Sequence, residues 1–166
     1  EDVASHGASI AGQAACFAVT SDFKLYKDGV LLSDACKNDS GGNCELTLAT
    51  LNMKNANYYV GKSQYASDAY LKAVIRAVRI SPTVLGASDM LVAPIHYDFA
   101  GGSLQASTGL TAPLHGNAKL GTTAGASNGV ALDGSASTYV SLPGLALDAW
   151  TAFTIEVCAD IPAAGG

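Results

Sequence analysis

Charge is scarce in this chain: Asp, Glu, Lys and Arg together make up 14% of its 166 residues. Nine basic residues lie scattered among 14 acidic ones, for a net charge of −5. That spread lacks the dense basic footprint of a nucleic-acid binder, so nucleic acid is not an expected partner. No run of 18 uncharged, bulky apolar residues occurs, so no membrane-spanning helix is expected. Glutamate is rarer still, with only Glu1, Glu45 and Glu156. Glycoside hydrolysis needs two clustered carboxylates, and these three are far apart with no E-x-D-x-E strand among them. Gly101-Gly102 lacks the lysine of a phosphate loop. We therefore expect no enzymatic activity and assign no catalytic residue. Aromatic residues account for 7%, a modest supply for a dedicated lectin.

Hydrophobic residues make up 49%, inflated by 29 alanines; Leu, Ile, Val and Phe number 38. The chain is too apolar for disorder and too lightly charged for a coiled coil. A domain of this length buries about 70% of its unfolded surface and needs no staple to fold. Ser and Thr number 26 and Gly 18, a neutral polar surface of the kind secreted β-proteins carry.

The four cysteines sharpen that picture. Cys36 and Cys44 bracket the loop KNDSGGN, whose two glycines let it bend back on itself. Metal ligation would want a CxxC pair or nearby histidines, and His6, His96 and His115 are dispersed. A Cys36–Cys44 disulfide is expected, leaving Cys16 and Cys158 as a long-range pair. The loop also holds Asn38-Asp39-Ser40, the one N-x-[ST] sequon and a glycosylation candidate at Asn38. An extracellular or cell-surface location follows as an expectation. The chain begins at Glu1 with neither methionine nor signal peptide, which reads as a processed chain or a piece of a longer one.

Hydrophobic periodicity is that of strands. Phe23–Lys27 alternates, and Asp28-Gly29 is a hairpin signal before Val30-Leu31-Leu32. Glu45–Leu51 alternates throughout. Asn57–Gly61 is short and aromatic. Leu71–Ile80 is β-branched yet long enough for a helix, and Ser81-Pro82 stops it. One helical turn is expected near 83–90. Gly129–Leu132, Ser137–Leu142 and Thr151–Ala159 read as further strands, with Asp133-Gly134 as a turn. Short strands joined by Gly, Asn and Asp turns predict an antiparallel all-β sandwich.

Two sets of segments resemble the laminin-G-like, concanavalin-A-like jelly roll. LYKDGVLL, NYYVGKS and DAYLKAVIRAVRISPTVLGASDM are similar to the closing half of that family's pattern. HYDFAGGS and GVALDGSASTYVSLPGLALDAWTAFTIEVCA are similar to its opening half. Ala73 stands where the family usually has glycine, and Cys158 where it usually has tryptophan. The middle strands are missing or reduced to Ala14–Val19. The halves also come in reversed order. The resemblance thus divides the chain into a closing half (1–90), a junction (91–95) and an opening half (96–166). Three arrangements follow: one permuted domain with its halves packed in cis, a window of a tandem array, or halves completed by a neighbouring copy.

The resemblance implies an extracellular structural or adhesive module that joins copies of itself or adjacent domains head to tail, as in a surface fibre. Its alternative is a carbohydrate-binding, lectin-like module using Ca²⁺. Asp98 and Asp133 are the metal candidates, with Asn128 behind, because Ca²⁺ takes hard oxygen ligands. Tyr58, Tyr59 and Trp150 are the ligand-stacking candidates, with glycans as the partner. Adjacent tyrosines on a strand face opposite ways, so only one of Tyr58 and Tyr59 can point outward. Trp150 reads more readily as a core or rim residue than as a stacking platform. The resemblance also marks Glu156 as structural and Arg79 as ion-paired, with an aspartate such as Asp89 as a candidate partner.

Overall fold

The computed structural model describes residues 12–21, 24–34, 58–63, 68–85, 94–121, 128–145 and 150–162. These residues form eleven antiparallel strands and no helix. They are β1 (Gln13–Thr20), β2 (Lys24–Lys27), β3 (Val30–Asp34), β4 (Tyr59–Val60), β5 (Lys72–Ser81) and β6 (Ile95–Asp98). Then follow β7 (Leu114–His115), β8 (Lys119–Gly121), β9 (Gly129–Asp133), β10 (Tyr139–Ser141) and β11 (Thr154–Ile161). The segment Glu45–Leu51 lies outside the described residues. So do residues 86–90 of the expected helical turn, and its described part, Thr83 to Leu85, is not helical.

The ambiguous run at 71–80 is a strand, β5, and it organises the large sheet. Val74, Ile75, Val78 and Ile80 are β-branched, which suits the pleated backbone better than a helix. One edge of β5 pairs with β11. Its other edge takes β9 at Lys72–Ile75 and β6 at Ala77–Ile80, end to end. The register against β11 shifts between Cys158 and Ala159, leaving Arg76 unpaired in that ladder. Its carbonyl accepts a bond from the Ala100 N–H at 2.8 Å instead. The large sheet runs β3-β2-β1-β11-β5-β9-β8, with β6 as the eighth strand beside β5. A small sheet runs β4-β10-β7.

Hydrophobic side chains from both sheets form one buried cluster. Ile75, Val78 and Ile80 of β5 meet Val130 and Leu132 of β9, and Tyr97 of β6 with the following Phe99. Val60 of β4 and Val140 of β10 enter from the small sheet. Each such Ile or Val contributes about 1.5–3 kcal/mol by leaving water. Tyr97 and Phe99 point the same way along β6, and their rings stack at 5.8 Å.

The β2–β3 turn is the one its sequence announces. Asp28 and Gly29 both have positive φ, 47° and 81°, as a two-residue hairpin loop requires. The Asp28 carboxylate accepts from the Cys16 N–H, and the Asp28 N–H donates to the Cys16 carbonyl, both at 2.8 Å.

Both sheets mix the two parts of the chain. β11 inserts between β1 and β5, and β10 pairs with β4. Residues 74–81 and 154–160 therefore pair within one chain, and these strands need no neighbouring copy to complete them.

Candidate functional site

Two surfaces collect polar and aromatic side chains. The first is the outward face of the small sheet. Alternation sends Val60, Val140 and Leu114 toward the core, so their neighbours Tyr59, Tyr139, Ser141 and His115 face away. Tyr139 lies directly opposite His115, and their rings stack at 4.3 Å and 10°. Tyr59 meets Tyr139 edge to face at 5.2 Å. His115 Nε2 and Ser141 Oγ are 2.8 Å apart and hydrogen-bonded. Lys62 Nζ sits 4.6 Å from the Tyr59 ring and 4.7 Å from that of Tyr139, within cation–π range of both. Gly61 allows this approach: its φ is 89°, and a Cβ there would strike Leu132 Cδ1 at 2.5 Å. A shallow hollow of about 410 Å³ adjoins, lined by Lys62, Ser63, Tyr70 and Lys72 among others. Ser63 Oγ donates to the exposed Asp68 carboxylate nearby.

The second surface is the face of the large sheet turned away from the small one. Cys16 on β1 and Cys158 on β11 are directly opposite and joined, with S–S 2.03 Å. Both backbone groups of Cys16 are bonded to Asp28, on the β2 side. The cysteines are therefore a non-hydrogen-bonded pair, the kind whose side chains come closest. Glu156, two residues before Cys158, shares its face and is buried. Arg79, directly opposite Glu156 on β5, donates to its carboxylate through Nη1. The same nitrogen lies 3.3 Å from Cys158 Sγ. Arg79 is thus ion-paired, with Glu156 of the facing strand as its partner; Asp89 lies outside the described residues. A second ion pair, Arg76 Nε to Asp160 Oδ1 at 3.1 Å, lies one step along.

The metal candidates are not brought together. Asp98 faces Ala77 and Asp133 faces Lys72, five residues apart along β5, about 16 Å at the rise of a strand. Asp133 is already engaged. Its carboxylate accepts from Ser135 N at 2.9 Å, Ser135 Oγ at 2.6 Å and Asn117 Nδ2 at 2.9 Å. The two Ser135 bonds, then Asn117 and Thr138, hold its carboxyl well below the usual range. This is a turn fastened by its own aspartate. Asp98 accepts from Gly101 N at 3.0 Å in a similar local turn.

Of the stacking candidates, Tyr59 reaches the outward cluster, whereas Tyr58 and Trp150 pack against the core. Cys36, Cys44 and Asn38 lie outside the described residues, as do Glu1 and Glu45. Sequence reasoning missed Lys62, His115 and Tyr139 as a group. The alternation in Tyr139-Val140-Ser141 was the available signal; the cross-strand partners were not. Comparison of the chain with family models, curated proteins and solved structures finds no match in any of the three.

Proposed function

We propose that this chain is an extracellular adhesive module that associates with copies of itself through the edges of its large sheet. The observation behind this reading is β3. Among the described residues it is the outermost strand on one side, and its Val30, Leu31 and Leu32 are 66%, 49% and 48% exposed. Soluble β-proteins protect such edges with charge, proline or short strands, because an open apolar edge recruits another strand. β8 is the outermost described strand on the other side. Joining β3 of one copy to β8 of the next continues the sheet head to tail, a heterologous contact that propagates a fibre. The frame offered for this is a laminin-G-like jelly roll with its halves, 1–90 and 96–166, interleaved in cis. Adhesion then runs through the outer edges rather than through exchange of halves. Sedimentation velocity with electron microscopy across concentration tests it. Association should appear in the native chain and vanish in Leu31→Lys/Leu32→Lys. A monomer at all concentrations rejects the reading.

The aromatic cluster supports a second reading, carbohydrate binding. Tyr59, Tyr139, His115 and Lys62 offer ring faces beside donors and acceptors, the contacts a sugar ring takes. Affinity electrophoresis through immobilised glycans should retard the native chain and not Tyr139→Ala. A chelator arm asks whether Ca²⁺ at Asp98 or Asp133 takes part. Equal mobility in all gels rejects the second reading.

A further inference from the structure

We propose that reduction of the Cys16–Cys158 disulfide turns this spot into a three-ligand site for a thiophilic divalent cation of the zinc class. The ligands are the sulfurs of Cys16 and Cys158 and one carboxylate oxygen of Glu156. These three ligand atoms all lie within 4.8 Å of one another. Cys158 Sγ is 3.7 Å from Glu156 Oε2. A tetrahedral zinc with Zn–S of about 2.3 Å and Zn–O of about 2.0–2.2 Å sets its sulfur and oxygen ligands about 3.5 Å apart. That edge is nearly in place. The sulfur–sulfur edge of the same tetrahedron is about 3.8 Å, so the freed sulfurs separate by rotation about their Cα–Cβ bonds. The paired strands keep the two cysteines opposite each other meanwhile.

The charges agree with this assignment. Two thiolates and a carboxylate carry −3, the cation +2, and the Arg79 guanidinium beside them +1. The loaded site is neutral, as a mostly buried site must nearly be. Arg79 serves as an outer hydrogen-bond donor that orients the carboxylate, a role metal sites regularly assign. Cys16 is only half-buried, which gives the cation an approach and leaves a fourth position for water. Spacing in the sequence hid the site, because Cys16 and Cys158 are 142 residues apart.

The chemistry balances with a dithiol as the reductant. Its two thiols are oxidised to a disulfide, the Cys16–Cys158 bond breaks, and each sulfur takes up one proton. The cation then displaces both protons as it binds. In the oxidised chain the sulfurs are committed to each other, so the site opens only after reduction.

The test uses the full chain carrying Cys36→Ser and Cys44→Ser, which removes competing thiols. Half is reduced with dithiothreitol and freed of it by anaerobic gel filtration. Co²⁺ is titrated into both halves, followed by the thiolate-to-cobalt charge-transfer absorption. Zn²⁺ retained after desalting is counted by mass spectrometry. One equivalent in the reduced chain and none in the oxidised chain is expected. Glu156→Gln should weaken binding at least about tenfold, the scale on which even outer partners of metal sites act. Equal binding by both redox forms overturns the proposal, as does affinity unchanged by Glu156→Gln, which is how two cysteines on an unfolded chain would behave. If reduction alone unfolds the chain, return of its far-ultraviolet dichroism on adding Zn²⁺ supports the site. Failure to return overturns it.

Discussion

Along β5 and β11, the face turned toward the small sheet carries Ile75, Val78, Ile80 and Ala159. The opposite face of the same strands carries Arg79, Ser81, Thr154, Glu156 and Cys158. Both faces are largely buried, since Ser81, Thr154, Glu156 and Cys158 are as hidden as many core residues. Burial therefore does different work on the two sides. The apolar face gains from leaving water, and its cost of disruption follows lost volume. The polar face loses hydration, and holds because most of its groups meet partners on neighbouring segments. Thr154 Oγ1 donates to the Thr83 carbonyl and accepts from the Leu85 N–H, both at 2.9 Å. Arg79 has Glu156, and Cys158 has Cys16.

The largest expected effect breaks the polar face at its covalent link. Replacing Cys16 and Cys158 together by alanine frees a 142-residue separation. The chain-entropy model assigns about 5 kcal/mol to a loop that long. Urea unfolding should show that loss as a lower midpoint; an unchanged midpoint denies the link its role.

Next comes a pair of substitutions that separates the two faces. Glu156→Ala leaves Arg79 charged and alone, at a cost of about 3 kcal/mol, similar to that of Ile75→Ala on the apolar face. The double change Arg79→Leu/Glu156→Leu should recover most of the loss, since apolar replacement of a buried ion pair is often neutral. No second change elsewhere on the apolar face should rescue Ile75→Ala. Thermal denaturation of the four proteins decides this, and failure of the double variant to recover would erase the distinction.

A smaller effect sharpens the comparison from inside the core. Tyr97 is buried on the apolar face, and its hydroxyl has no hydrogen-bond partner among the described residues. Burial pushes its pKa up. Tyr97→Phe removes the orphaned group and should stabilise the fold by about 1 kcal/mol. Destabilisation of that size would show that the hydroxyl is satisfied.

The smallest effect lies outside both faces. Asp133 is fully exposed, yet its folded carboxyl is held below its unfolded value by Ser135 and Asn117. It stabilises the fold above the unfolded pKa, about 3.9, and loses that contribution as pH falls further. The native chain should therefore fall in melting temperature below about pH 4 more steeply than Asp133→Asn does. Parallel slopes would leave the turn without an electrostatic part.

Much of the apolar face was legible in the sequence, because alternation is a local property. Val130 and Leu132, and Val140 between Tyr139 and Ser141, announce their side of the sheet within a few residues. The strand ends at Pro82 and the turn at Asp28-Gly29 are local as well. The polar face was not legible in the same way. Arg79 and Glu156 are 77 residues apart, and nothing near either one names the other. It is the register of β5 against β11 that sets Glu156 opposite Arg79. The aromatic cluster failed for the same reason: Tyr139 was readable as outward, but not that His115 stands across from it. What a strand shows to the core is written along it, and what it shows to its neighbours depends on a pairing made elsewhere.

The position of β11 bears on how the chain reaches this fold. It separates β1 from β5, which do not touch as a ladder. While the chain emerges in order, the β1–β2–β3 meander and β5 have no shared edge. Two sticky borders must wait until residues 154–161 arrive to seal both at once. Closure across so long a separation is slow, and during that wait the open borders are most vulnerable to strands of other molecules.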